Sequence, residues 1–422
     1  MQLATDPPPR PSATDRPTIV GVLPHPFCNP RVEGCGYCTF PHEKHSNDRA
    51  REIAKRVVAE IEAAPLEGRD VRAVYLGGGT ANLTPPDAFE AIVSALRRRI
   101  GSSVEEITLE GVPAYFLGRD GALLRTLVET GWPPRISMGV QTFDREWLDR
   151  MGRAGFGDRE TVREVVARAR SLGATTSADL LVNLPGQPYA AMSRDVHTAM
   201  ELGLDQICVY HLVLSEGLGT AWSRDPALLA SLPPNDVACD QWLRLRRELL
   251  DAGYEQTTLT NFERRGARRF VYERRSFAPW DHDALGFGPG AISTFDGLKT
   301  IHVGASRAYV AWMDAGRSPV SKRFDYTPAD LDVLYLTRGL ATTRVALSRL
   351  AAPESFMDAI VACEDEGLVA LEAGELALTP RGMFYADSVA GLLASRRVRE
   401  LVPHRGKRRP LVADDARPYG MG

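Results

Sequence analysis

Cys28, Cys35 and Cys38 fall within eleven positions of one another, in "HPFCNPRVEGCGYCTFPHEKH" (25–45), and are three of the chain's six cysteines. The gaps between them are six residues and two. Thiols so close in sequence more often hold metal or do chemistry than pack. A loop rich in Gly and Pro also argues against a chance group of buried cysteines. Two metal readings stand. A structural zinc would add His42 or His45 to the three thiolates as a fourth ligand. A [4Fe–4S] cluster normally takes four cysteines, so three would leave one iron open, and an open position is where a metal centre binds a substrate. Spacing alone does not choose between them.

The elements that must position this loop can be read on either side of it. Short apolar runs at 19–23, 73–76, 106–110, 135–140, 175–181 and 205–212 read as strands. Between them lie helical patterns, clearest at 159–172 and 192–202. Asn47 or Asp48 is expected to cap a helix running to about Ala64, and Thr84 to open the next in capping-box style. Strand–helix alternation implies a parallel sheet covered by helices, and six such units predict a partial (β/α)6 barrel of the TIM type. Active sites of such barrels gather at the C-terminal ends of the strands. The cysteine loop, "GGGT" (Gly77, Gly78, Gly79, Thr80), Glu110, Gln141 and Asp179 all lie at or near such ends. From about Pro328 the texture changes to helix, helix, hairpin and helix. That order predicts a small C-terminal winged-helix-like domain, whose acidic surroundings favour packing or substrate cover over DNA binding. The expected division is a disordered lead-in at 1–17, the barrel at 18–260, a connecting segment flanking the active site at 261–327, the small domain at 328–396 and a flexible tail at 397–422.

Composition limits the partners. The chain has 422 residues, 44% hydrophobic and 25% charged, with a formal net charge of −3. That balance suits a globular protein and argues against nucleic acid or an anionic membrane as the main partner. No apolar run is long enough to span a membrane. The Pro-rich start lacks the apolar stretch of a signal peptide, so a reducing cytoplasm is expected. Cys208, Cys239 and Cys363 stand far from the triad and read as structural, although Cys208 on the sixth strand could face the barrel.

Six longer stretches carry a resemblance: "HPFC…CGYCTF", "VYLGGGTANLTPPDAF", "EITLEGVPA", "RISMGVQTFDREWLDRMGR", "SADLLVNLPGQP" and "VYHLVLSEGLGT". With "GYEQTTLTNF" and "ALGFGPGAIS" further on, the chain resembles the radical S-adenosylmethionine (SAM) superfamily over roughly residues 19–390. It is most similar to the branch of oxygen-independent coproporphyrinogen III oxidase (HemN-like) enzymes. The resemblance implies a [4Fe–4S] cluster on Cys28, Cys35 and Cys38, whose open iron chelates SAM and cleaves it reductively to a 5′-deoxyadenosyl radical. It implies SAM contacts from Phe40, Gly77, Gly78, Gly79, Thr80, Glu110, Gln141, Arg153 and Asp179. Also implied are a small-molecule substrate and an electron donor such as flavodoxin or ferredoxin.

Four departures separate this chain from its branch. The gap of six after Cys28 replaces the usual three, with "NPRVEG" inserted. Val22 stands where a tyrosine is usual, and Phe40 where true coproporphyrinogen oxidases carry a further cysteine. Before "LGFGPGA" there is no His-Asn pair of the haem-chaperone kind, and Gly155 replaces a frequent histidine. By elimination, the expected reaction is alkylation of an sp2 carbon of a natural-product intermediate, by methyl transfer or cyclopropanation with a second SAM. Oxidative decarboxylation of the coproporphyrinogen oxidase kind and haem-chaperone-like binding are the alternatives. The inserted loop and the stretch 257–280 are the expected walls of the second SAM site.

Overall fold

The computed structural model describes residues 16–28, 35–40, 43–295 and 297–401. At its centre are β1 (Thr18–Val22), β2 (Val71–Leu76), β3 (Glu106–Gly111), β4 (Pro134–Gln141), β5 (Thr175–Val182) and β6 (Gln206–His211). They lie side by side in chain order, each paired in parallel with the next. Strands buried on both faces carry nearly unbroken apolar runs; "TTSADLLV" of β5 is buried at every position but Asp179. Successive strands are joined through α1 (Asn47–Ala63), α2 (Pro86–Arg99), α3 (Pro113–Glu129), α4 (Arg145–Arg150), α5 (Arg159–Ser171) and α6 (Tyr189–Glu201). On α1 the buried residues Ala50, Ile53, Ala54, Val57 and Ile61 form one face at helical spacing. This is the expected partial (β/α)6 barrel.

Two helix starts differ from the sequence reading. Ser46, not Asn47 or Asp48, caps α1, its side chain accepting from Arg49 N. Thr84 makes no capping box on α2, where Pro85 is the cap. Its hydroxyl donates instead to Ala81 O at 2.7 Å, closing the short turn after the glycine run. A local hydroxyl–carbonyl bond won over the helix cap.

The sheet runs on past the barrel strands at both ends. Two helices, α7 (Pro226–Ala230) and α8 (Asn235–Asp251), lead to β7 (Tyr254–Gln256) and β8 (Asn261–Arg264), and β8 pairs antiparallel with β6. After α9 (Val271–Ser276), β9 (Asp283–Phe287) pairs in parallel with the free side of β1. Then β10 (Ile292–Phe295), β11 (Leu298–His302) and, after α10 (Ser306–Asp314), β12 (Val320–Asp325) extend it antiparallel. The stretch 261–327, expected as a connecting segment, thus supplies five strands of a 12-stranded sheet.

Between β8 and β9 the chain crosses the N-terminal end of the barrel. Val271 N and Tyr272 N donate to the carboxylate of Glu106, the first residue of β3. Arg268 O accepts from the side chain of Gln206, the first residue of β6. Arg135, near the start of β4, lies over the Phe270 ring at 3.5 Å. Helix α9 therefore plugs the barrel from below.

The last module comprises α11 (Pro328–Gly339), β13 (Arg344–Ala346), α12 (Met357–Asp365), the hairpin β14 (Val369–Glu372) and β15 (Glu375–Leu378), α13 (Pro380–Phe384) and α14 (Ala386–Leu401). It has its own apolar core, including Leu336, Ile360, Cys363, Leu376 and Val389. A capping box of Thr327 and Asp330 opens α11. The module packs on the barrel through Trp280 against Tyr335, through Arg349 paired with Asp281, and through Phe384 against His211. Helix α14 continues into the stretch expected as a flexible tail; residues 402–422, like 1–15, lie outside the described residues. Among the described residues no helix is long and apolar enough to cross a membrane.

One buried acid ties α1 to the added strands. Glu60 accepts from Tyr309 Oη at 2.6 Å and from Gly288 N at 3.0 Å, with His302 Nδ1 at 3.4 Å. Burial pushes its carboxyl up to about 7. An acid whose folded pKa is raised binds more protons folded than unfolded, so its contribution is full below the unfolded value near 4.5 and lost as pH rises through about 7. Raising the pH of the cluster-free chain from 6 to 8.5 is expected to lower its melting temperature. The fall should be smaller in Glu60→Gln, by a difference on the order of 2 kcal/mol. Equal pH slopes in the two proteins would refute this assignment.

Candidate active site

The loop that carries the three thiols is pinned at its base. Phe27 O accepts from Thr80 N at 2.9 Å, and Pro26 O from Glu43 N at 3.1 Å. His25, fully buried, accepts at Nδ1 from Phe27 N at 3.3 Å. Its proton therefore sits on Nε2, 3.2 Å from Thr84 Oγ1, whose own hydrogen goes to Ala81 O. The imidazole so links the segment before Cys28 to the turn after β2. Burial holds it neutral, with its pKa down at about 3.

Glu43 anchors the far side. Its carboxylate accepts from Ser306 N and Ser306 Oγ, both at 2.7 Å, and from Arg49 at 2.6 Å. Glu43→Ala is expected to loosen the loop by on the order of 2 kcal/mol, since hydrogen bonds to charged groups contribute more than neutral ones. Iron retained after anaerobic reconstitution should fall below half of the wild-type content; unchanged iron would show that the loop does not depend on this anchor.

Within the loop, Cys38 N donates to Cys35 O at 2.9 Å, making a tight turn. The Phe40 N–H donates to the Cys38 sulfur. Gly36 is forced, because a β-carbon there would run into the Trp222 indole at 2.1 Å. Burial pushes the Cys28 thiol up to about 12, with Cys38 and Cys35 adding to the rise. Three mutually repelling, half-buried thiols need a positive partner before all can ionise.

The strand ends supply the remaining groups. Gly79 has φ +57°, and a β-carbon on it would meet Phe27 O at 2.6 Å. Glu110 accepts from Tyr75 Oη at 2.9 Å and from Gly78 N; burial raises its pKa. Gln141 sits at a β-bulge with φ +70°, and its buried Oε1 has no hydrogen-bond partner. Arg153 donates from Nη1 to Cys35 Sγ at 3.3 Å and from Nη2 to Gly139 O, while its Nε is buried without a partner. Asp179 is pushed up to about 7 by burial first and the Glu110 charge second, and bonds Cys208.

All twelve residues expected from the sequence line one cavity of about 580 Å³. Sequence reasoning did not name Tyr75, Tyr210, Tyr272, Glu273 and Phe277, which line it too. Tyr75 gave a usable sign, being the one tyrosine in the apolar run of β2. The far residues belong to the stretch 257–280, expected as a wall of a second SAM site. The structure places β8 of that stretch in the sheet beside β6 and only 268–277 at the floor of the barrel, and the inserted residues 29–34 lie outside the described residues. Cys208 does face the barrel interior, donating to Asn261 Oδ1 at 3.4 Å, whereas Cys239 and Cys363 are buried in helix packing.

The donor set fits an iron–sulfur cluster better than a single ion. Among the described residues no three His, Cys, Asp or Glu side chains converge closely enough for one metal ion. A four-iron cube holds its thiolates further apart than a mononuclear site does, and the three cysteines share one cavity wall. His45 does not line that cavity, and His42 lies outside the described residues. The orphaned acceptor of Gln141 and the orphaned donor of Arg153 are what a ligand with both amino and carboxylate groups would satisfy.

Comparison with known proteins agrees with this geometry. Residues 22–199 match the family model of the Radical SAM superfamily. Over 389 residues the chain is 28% identical to heme chaperone HemW of Mycobacterium tuberculosis (strain ATCC 25618 / H37Rv), covering 88% of this chain and 94% of that one. It is 25% identical over 375 residues to anaerobilin synthase of Escherichia coli O157:H7, covering 86% and 81%. The solved structure of Escherichia coli coproporphyrinogen III oxidase (HemN) superposes with a TM-score of 0.76 over 91% of each chain; at 19% identity that likeness is one of fold. These relatives correct the expected alkylation of a natural-product intermediate with a second SAM. That expectation rested on a few absent residues, and similarity along nearly the whole chain outweighs them. Residues 22–199 thus form a radical SAM domain, and along most of its length the chain is similar to proteins of the HemN- and HemW-like branch.

Proposed function

We propose that this chain cleaves SAM at a three-thiolate cluster and binds haem, as a HemW-like haem chaperone. The reading is carried by its similarity to heme chaperone HemW along 88% of its length. Bound to Cys28, Cys35 and Cys38, a [4Fe–4S] cluster with one open iron supplies the electron that SAM cleavage requires. The chain's own residues do the rest. Gly77, Gly78 and Gly79 let backbone approach the methionine end of SAM. The carbonyl oxygen of Gln141 accepts a hydrogen bond from its amino group. Arg153 holds its carboxylate while balancing the charge of Cys35. Phe40, Thr80, Glu110 and Asp179 line the remaining wall and exclude water.

The test uses one anaerobically reconstituted preparation. SAM and reductant should yield 5′-deoxyadenosine, and haem should bind with a shifted Soret band at one equivalent. SAM cleavage without haem binding would overturn the chaperone assignment. A second reading, oxidative decarboxylation of a tetrapyrrole side chain, is favoured by one observation: the cavity continues past the SAM residues to Tyr272 and Glu273. Carbon dioxide released from coproporphyrinogen in step with 5′-deoxyadenosine would select it.

A further inference from the structure

The end of the cavity farthest from the thiols has a chemistry of its own. Glu273, on the α9 plug, lines it together with Tyr272, Phe277, Tyr210 and Asp179. Glu273 Oε2 accepts from Thr258 Oγ1 at 3.1 Å. Its other oxygen has no hydrogen-bond partner among the described residues, nor have the hydroxyls of Tyr272 and Tyr210. The polar groups here are therefore oxygens throughout. Two cations lie close by, but neither lines the cavity. Arg135 is buried over Phe270, and Arg338 of the C-terminal module packs on Phe277. Among the described residues the only lining cation, Arg153, is at the other end beside Cys35. Aromatic faces complete the floor, with Tyr75 and Tyr272 stacked at 4.8 Å.

Burial pushes Glu273 up to about 8, and once ionised an acid between aromatic rings attracts a positive or N–H-bearing group and repels a carboxylate. Size narrows the choice further. A cavity of about 580 Å³ suits one drug-sized molecule. SAM takes up the end lined by the thiols and the glycine run, so only a narrow group reaches the floor. We propose that the floor around Glu273 is a substrate-recognition site for a ring-bearing group that presents a protonated amine or a ring N–H, and that it excludes carboxylates. The proposal rests on the reading of the upper cavity as the SAM site and goes beyond the assignment of haem. Any carboxylate side chains of the substrate must then point to the mouth.

Benzylamine and benzoate are matched probes, alike in ring and size and opposite in charge. Their binding to the reconstituted, SAM-loaded protein is measured by saturation-transfer NMR with competition. At about pH 8.5, where Glu273 is mostly ionised and the amine still protonated, benzylamine is expected to bind at least tenfold tighter, and Glu273→Gln to reduce that ratio at least fivefold. The ratio is a readout that partial unfolding would not invert, and the wild-type preference needs no variant. Equal or tighter binding of benzoate to the wild type overturns the proposal. So does a Glu273→Gln protein that weakens SAM as much as benzylamine, since Glu273 would then be a SAM contact. Haem titration on the same sample separates the two readings. No haem binding with the amine preference intact sinks the chaperone assignment alone; haem binding with benzoate preferred sinks the floor site alone.

Discussion

Replacing any one of Cys28, Cys35 and Cys38 by alanine is expected to abolish 5′-deoxyadenosine formation and to cut reconstituted iron to a small fraction of the wild-type content. Among the described residues no other cysteine stands at the loop. Cys208 lies on the sixth strand, bonded to Asn261 and Asp179, while Cys239 and Cys363 are buried elsewhere. A cluster held by two thiolates is lost, and the electron that cleaves SAM goes with it. Iron content and the visible sulfur-to-iron absorption should fall together with activity. The most exposed part of the claim is Cys28, which sits across the enlarged gap. Wild-type iron and activity in Cys28→Ala would remove it from the site and leave the three-thiolate assignment untenable.

Arg135→Met should produce the largest loss of stability among single changes in the barrel interior. The guanidinium is 1% exposed, donates from Nε to Gln206 Oε1 at 2.7 Å and carries two Nη groups without partners. It lowers the pKa of Glu106, Glu110, Asp179 and Glu273, four carboxyls of the barrel interior that desolvation otherwise raises. Removing one partner from buried charge costs about 3–5 kcal/mol. The sign of the pH effect follows. Asp179 at about 7 and Glu273 at about 8 are already raised, and without Arg135 both rise further. Each can then escape its uncompensated charge by binding a proton as pH falls. Urea unfolding of the cluster-free chain should show the deficit of the variant clearly at pH 8.5 and much reduced at pH 6. A deficit that is absent, or larger at pH 6, would count against Arg135 as the counter-charge of the interior.

The upper half of this site was legible because its signals are local. Three cysteines in one loop, a glycine run ending a strand and single polar residues at strand ends each show in a short window. Glu273 shows no such sign. It is one glutamate in an unremarked helix, and it matters only because the chain between β8 and β9 passes under the barrel. Arg135 was likewise read as a strand residue, and nothing local tells that its charge is buried among carboxyls from other strands. The five strands contributed after residue 260 escaped for a related reason: their partners β1 and β6 lie far back in the chain. Thr84 shows the opposite failure, a true local signal for a hydroxyl–backbone bond assigned to the wrong backbone partner. Haem-chaperone-like binding stood only as an alternative because a few absent residues were weighed above similarity along the whole chain.

The 12-stranded sheet never closes on itself, and this bears on life without the cluster. An open sheet ends in two strands whose outer backbone groups could template aggregation. Here the ends resist it. β12 is almost wholly exposed and carries Lys322, Arg323 and Asp325, while β7 has only three residues. A charged ribbon and a stub are poor templates for another chain. Neither edge therefore invites strand addition when the cluster is absent, and the thiol loop keeps its anchor through Phe27 and Glu43.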